Sequence, residues 1–219
     1  MIAKELISSA VLPLKTSDTG EDALQIMNDF NVRHLPIVNK DELLGLCSED
    51  DIYAHDTEEP VGSYALEIAK TSVHEHDHIF EIMSLMAEYH LSSIPVVDDE
   101  QVYVGIITLE DLLIYYASSF SFKEPGSIIV LKMHKQDYSL SEISRLIEME
   151  QAAILSTFIS NIPESLNILV TIKVNKQEIG AILQTFERFE YEVYATYTES
   201  SYVNNLKERY DMLISYLNI

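Results

Sequence analysis

Cysteine occurs once in these 219 residues, at Cys47, which excludes an internal disulfide framework and suits a reducing cytoplasm. Cys47 lies in the apolar stretch GLC and reads as a small buried hydrophobe rather than a nucleophile. Glycine and proline number only six each, within an otherwise ordinary globular composition. Long apolar runs are missing too. The longest, IIVLKM (128–133), already carries Lys132, so nothing reaches membrane-spanning length. The opening MIAKELISSAVLPL is too polar early on for a secretion signal, and a cytoplasmic location is expected. No Walker loop, dinucleotide fingerprint or nucleophile–base signature appears, so catalysis is not expected.

Positive charge is scarce as well. The formal net charge is −22, unevenly spread. Residues 1–122 hold 5 Lys/Arg against 23 Asp/Glu, a net −18, and the remainder holds 9 against 13, a net −4. Such a surface repels phosphate backbones, which argues against nucleic-acid partners. It also repels a free polyphosphate unless a divalent cation or a local donor cluster compensates.

Against these absences, three of the seven histidines crowd into VHEHDHIF (73–80), as His74, His76 and His78. Period-two spacing would gather three imidazoles on one face only if the segment were extended. They are weak metal candidates, and no metal is assigned to the chain.

The first half repeats itself. Over ALQIMNDFNVRHLPIV (23–38) and IFEIMSLMAEYHLSSIPVV (79–97), Met27 falls on Met86, Leu35 on Ile94 and Pro36 on Pro95, all at an offset of 59. Downstream, GLCSEDDI (45–52) falls on GIITLEDL (105–112) at an offset of 60. The extra residue lies in a turn, NKDELL against DDEQVYV, where an insertion only lengthens a surface loop. Each copy reads as helix, strand, turn, strand, helix, and the proline within the first strand predicts an edge or a strand start.

With LPIV and IPVV in the first strands and G-x-x-[ST]-x-x-D present twice, as GLCSEDD and GIITLED, residues 1–118 resemble a tandem pair of CBS domains, a Bateman module. Repeat boundaries are expected at 1–59 and 60–118. Ser48-x-x-Asp51 and Thr108-x-x-Asp111 have the form of helix capping boxes. The same geometry can also hold a phosphate. The resemblance implies Ser48 or Thr108 on phosphate, Asp51 or Asp111 on ribose, and adenine in an apolar slot. Gly45 and Gly105 would let the backbone turn near the ligand. Arg33 and His34 precede the first proline, whereas the second copy offers Ser92 and Ser93, so a charged phosphate clamp is supported in the first cleft alone. AMP or another adenosyl ligand is favoured over bare ATP. ADP, ATP and S-adenosylmethionine remain regulatory ligands to test, and no cofactor is required.

The alignment also places VHEHDHIFE (73–81) over LKTSDTGED (14–22), a polar approach to a helix beginning near Asp77 or His78. His74 is thereby expected near the ligand pocket, where it would supply the charge the second copy lacks.

SFSFKEPG (119–126) breaks the periodicity as a linker. Residues 127–200 then read as βαββαβ, the ferredoxin-like order, and resemble an ACT-type domain. The whole resembles CBS–ACT proteins of the acetoin-utilisation type. The stretch Gln136–Leu140 lacks the glycine of the ACT ligand loop, so dimerisation or packing is expected there rather than amino-acid binding. The tail 201–219 spaces Leu206, Tyr210, Leu213, Ile214 and Leu217 as a helical stripe.

The expected fold class is α+β, with two CBS repeats in a pseudo-two-fold pair, a ferredoxin-like domain and a C-terminal helix. The expected function is a non-catalytic sensor of an adenosine-type ligand. The alternatives are a protein-interaction module whose ligand motifs survive as caps, and a metal-responsive protein. A homodimer is expected, since CBS pairs commonly associate and ferredoxin-like sheets can join edge to edge. Neither nucleic acid nor membrane is an expected partner.

Overall fold

The computed structural model describes residues 1–64, 66 and 71–198. The predicted C-terminal helix over 201–219 lies outside these residues. The chain divides after Tyr116 into two compact units.

In the first unit, each repeat builds a three-stranded sheet and two helices. Repeat 1 comprises β1 (Leu14–Lys15), α1 (Gly20–Asp29), β2 (His34–Asn39), β3 (Glu42–Ser48) and α2 (Glu49–Tyr53). Repeat 2 comprises β4 (Val73–His74), α3 (Ile79–Glu88), β5 (Ser93–Val97), β6 (Tyr103–Thr108) and α4 (Leu109–Ser119). The sheet orders are β1-β2-β3 and β4-β5-β6.

Local chemistry sets the element ends. Thr19 and Asp22 form a capping box on α1, and Phe80 N–H donates to His78 Nδ1 at the start of α3. Beyond α1 and α3, Asn31 and His90 take left-handed φ values of 52° and 54°, which ends each helix. Lys40 and Gln101 do the same in the two hairpin turns.

The prolines are not at edges. Pro36 and Pro95 sit in the middle strands β2 and β5. The short parallel strands explain why this is tolerated: β1 pairs only with Ile37 and Val38, and β4 only with Val96 and Val97. The missing proline N–H therefore falls where no neighbour on that side needs it.

The two repeat cores interleave. Leu46 of β3 packs into the repeat 2 core with Ile82, Met86 and Ile94. Ile106 of β6 reciprocally packs into the repeat 1 core with Met27, Leu35 and Ile37. Burial of apolar area stabilises roughly 1.5–3 kcal/mol per such side chain, so each repeat contributes directly to the other.

The second unit contains β7 (Ser127–His134), α5 (Leu140–Met149), β8 (Ile154–Asn161), β9 (Asn167–Val174), α6 (Gly180–Arg188) and β10 (Glu192–Tyr197). Its antiparallel sheet has the order β10-β7-β9-β8, the ferredoxin-like arrangement. Alternating β9 residues Ile168, Val170, Ile172 and Val174 pack with Ile143, Ile147, Ile182 and Phe186 of the helices. Together the units are the α+β architecture expected from the sequence.

Candidate functional site

The hydroxyl–carboxylate pairs begin α2 and α4. Ser48 donates its hydroxyl to Asp51 Oδ2 at 2.6 Å and its N–H to the same oxygen at 2.8 Å, while Asp51 N–H donates back to Ser48 Oγ at 3.1 Å. Thr108 and Asp111 repeat this arrangement at 2.6, 2.9 and 3.1 Å. The first helical amides of α2 and α4 are also bonded: Glu49 N–H to Arg33 O at 3.1 Å, and Leu109 N–H to Ser92 O at 3.0 Å. The capping chemistry is thus realised in both repeats, and a ligand would exchange with these bonds. The two helices differ in length, five residues for α2 and eleven for α4.

Across the pseudo-two-fold, Arg33–His34 meets Ser92–Ser93. Arg33 N–H donates to Ser92 Oγ at 2.7 Å, and Ser93 Oγ donates to His34 O at 2.7 Å. Ser92 N–H donates to His34 Nδ1 at 3.2 Å, so the neutral ring carries its proton on Nε2. Burial, followed by the nearby Arg33 charge, holds the His34 pKa below the usual histidine value. His34 therefore offers a neutral donor rather than a second cation.

A cleft of about 240 Å³ opens beside Ser48, with Arg33 and His34 on one side and Tyr89 and His90 from the end of α3 on another. Glu49 and Asp50 complete its lining, so Arg33 is opposed by two carboxylates. That volume is below the ~300–1,000 Å³ of a typical small-ligand pocket, which suits the polar end of a ligand rather than a whole nucleotide. Tyr89, His90, Glu49 and Asp50 were not singled out from the sequence. The signal for His90 was its alignment with Asn31, the other left-handed helix end.

The remaining candidates lie elsewhere. Gly45 and Gly105 are not in left-handed conformations. Each faces β2 or β5 beside a register shift. A Cβ on Gly105 would collide with Ile7 Cγ2, so this glycine makes room for the chain's own N-terminal segment, whose Ser8 N–H donates to Ile106 O. His74 pairs with Val97, whereas Thr108 pairs with Ser93 at the other end of β5, roughly 13 Å away at strand spacing. The structure therefore does not bring His74 to the Thr108 pair, because β4 lies along the far half of β5.

The histidine cluster also disperses. His74 Nε2 is 3.4 Å from Gln101, His76 is 3.4 Å from Glu75, and His78 caps α3. Among the described residues, no three His, Cys, Asp or Glu side chains are grouped to hold a metal ion. Cys47 is buried, and burial pushes its thiol up to about 12, so it stays protonated at neutral pH. Among the described residues, no helix is long and apolar enough to cross a membrane.

A second hollow, an apolar groove of about 500 Å³, runs between α3 and α4 over Met83, Met86, Leu109, Leu112 and Leu113. Leu109 and Leu113 are 54% and 67% exposed.

Residues 3–58 and 66–118 match the CBS-domain family, and this half of the chain belongs to it as a tandem CBS pair. Among curated relatives, an inosine-5'-monophosphate dehydrogenase of Methanocaldococcus jannaschii is 31% identical over 116 residues, which is 51% of this chain but 23% of that enzyme. The CBS domain-containing protein YhcV of Bacillus subtilis is 26% identical over 124 residues, 54% of this chain and 87% of the relative. Among solved structures, a CBS domain pair/ACT domain protein from Thermotoga maritima is similar, with 22% identity, a TM-score of 0.48, and coverage of 55% of this chain and all of that one.

Proposed function

We propose that this protein is a non-catalytic regulatory module whose CBS pair senses an adenosine-type ligand, AMP in preference to ATP. The observation that carries the reading is the doubled hydroxyl–carboxylate pair at two helix starts, with Arg33 and His34 lining the cleft beside Ser48. In this reading Ser48 and Asp51 exchange their mutual bonds for phosphate and ribose, and Arg33 with His34 Nε2–H steadies the phosphate. Glu49 and Asp50 oppose additional negative charge, which favours one phosphate over three. The Thr108–Asp111 cleft has serines in place of Arg33 and His34 and takes its ligand more weakly. The second unit serves dimerisation or transmission, and the protein works as a cytoplasmic homodimer.

Calorimetric titration with AMP, ADP, ATP and S-adenosylmethionine, with and without Mg²⁺, tests this. Binding of AMP that Arg33→Ala and Asp51→Asn weaken more than Asp111→Asn supports the reading. No heat and no thermal shift at millimolar ligand would refute it.

The apolar groove between α3 and α4 favours a second reading, a protein-interaction module in which both motifs act only as caps. There, Asp51→Asn and Asp111→Asn lower stability without affecting partner binding, while Leu113→Glu abolishes it.

A further inference from the structure

A chain of net charge −22 has carboxylates to spare for its few cations. Residues 1–122 hold only five, Lys4, Lys15, Arg33, Lys40 and Lys70. Lys4 pairs with Glu75 at 2.8 Å, and Arg33 lines the Ser48 cleft opposite Glu49 and Asp50. Lys15 and Lys40 are different. Both are exposed, and among the described residues neither side chain has an ion pair or a hydrogen bond.

The two lysines line one hollow of about 490 Å³, together with Leu12, Thr16, Ser17 and Asn39. No carboxylate lines it. Every lining residue belongs to repeat 1, whereas the Ser48 cleft draws on both repeats. The two places also lie at opposite ends of β2. Ser48 pairs with His34 and Lys15 with Val38, roughly 13 Å apart at strand spacing. Thr108 belongs to the His34 end too, since it pairs with Ser93, whose hydroxyl donates to His34 O.

Repeat 2 supplies an internal comparison. At the offset of 59, Lys15, Thr16 and Asn39 fall on His74, Glu75 and Asp98. At the left-handed turn position, repeat 2 has Gln101 where repeat 1 has Lys40. The same backbone frame carries carboxylates in one copy and ammonium groups in the other, so the fold does not require a positive hollow here. Its rim is also held in place. Gly62 N–H donates to Thr16 O at 3.1 Å, and Lys15 N–H donates to Asp18 Oδ2 at 2.8 Å. A Cβ on Gly62 would lie 2.7 Å from Thr16 O, so this close approach needs glycine.

We propose that this hollow binds a small organic phosphate of sugar-phosphate size through Lys15 and Lys40, apart from the Ser48 cleft and the Thr108–Asp111 pair. The volume lies within the ~300–1,000 Å³ of small-ligand sites. Two ammonium groups match a phosphate dianion, and the Thr16 and Ser17 hydroxyls and the Asn39 amide supply hydrogen bonds. Leu12, 70% exposed, offers an apolar contact to the ligand's carbon skeleton. The acidic surface around the hollow repels a nucleic-acid backbone or an anionic membrane, which selects an anion small enough to fit inside.

The test is amide NMR of the full chain titrated with glucose 6-phosphate, glycerol 3-phosphate, glucose and inorganic phosphate. The expected result is saturable shifts of the 12–17 and 38–40 amides with millimolar organic phosphate and none with glucose. Lys15→Gln and Lys40→Gln should each weaken binding about tenfold. Lys15→Arg should keep most of it, and Lys4→Gln, which removes a cation elsewhere in the unit, should leave it unchanged. Circular dichroism checks that each variant folds. Shifts centred on Ser48 and Arg33, equal binding of glucose, or binding that survives a folded double Lys15→Gln, Lys40→Gln variant would overturn the site. So would no saturation with either organic phosphate. Inorganic phosphate binding as tightly as both, an adventitious ion only, would overturn it as well. Organic phosphate binding in a chain that does not bind AMP refutes the adenosine reading and leaves this site standing.

Discussion

Leu46→Ala should destabilise the chain by about 2–5 kcal/mol, and the damage should surface in the repeat that does not contain residue 46. Leu46 is wholly buried, and its side chain packs among residues of repeat 2. Losing three buried carbons costs roughly 2.4 kcal/mol at about 0.8 kcal/mol for each. The cavity left between two sheets that cannot collapse independently adds the remainder. The reciprocal change, Ile106→Ala, removes a side chain packed against Met27 and Ile37 of repeat 1. Urea unfolding gives the total, and native-state hydrogen exchange locates it. Leu46→Ala should lower protection first in α3, and Ile106→Ala first in α1. If each substitution loosens only its own repeat, the cores do not interleave as described. A loss below about 1 kcal/mol would equally contradict the burial.

Acid should weaken the fold through His34. Its folded pKa is lowered from 6.5, so the unfolded chain binds the proton more readily. The His34 contribution is therefore complete above pH 6.5 and is lost as pH falls towards the lowered value, which urea midpoints between pH 7.5 and pH 5.5 measure. Gly105→Ala should cost about 1–3 kcal/mol by pushing on Ile7, and Ile7→Ala in the same chain should recover part of that in thermal melts. Thr108→Ala removes the acceptor of the Asp111 N–H at the start of α4 and should cost about 1 kcal/mol, whereas Thr108→Ser should be near neutral in urea unfolding.

What could be read from the sequence was what depends on neighbours in the chain. The hairpins β2–β3 and β5–β6 announce themselves through apolar runs around polar turns, and the Ser48–Asp51 and Thr108–Asp111 pairs through a three-residue spacing within one helical turn. The second unit follows likewise, since β7, α5, β8, β9, α6 and β10 each show their own period. The rest depends on contacts between distant segments. Two-residue strands such as β1 and β4 have no period to detect and exist because β2 and β5 offer them a partner. Pro36 and Pro95 suggested edges because the shortness of those neighbouring strands is invisible in sequence. His90 reaches the Ser48 cleft from the other repeat, so no local spacing connects the two residues.

The crossing of Arg33–His34 with Ser92–Ser93 bears on how the two helix starts could respond to ligand. A hydrogen-bonded network, rather than an apolar partition, joins the wall of the Ser48 cleft to the segment that precedes Thr108 in space. A ligand that draws His34 towards phosphate strains the Ser92 N–H bond, and the Ser92 carbonyl in turn holds the first amide of α4. On the proposed function, a ligand beside Ser48 would thus be felt at the start of α4. Thermodynamic reciprocity then requires the second occupant to change the affinity of the first by the same factor. Two ligands on this pair would titrate with a Hill slope different from one, and the sign of the departure would report whether the shared wall tightens or yields.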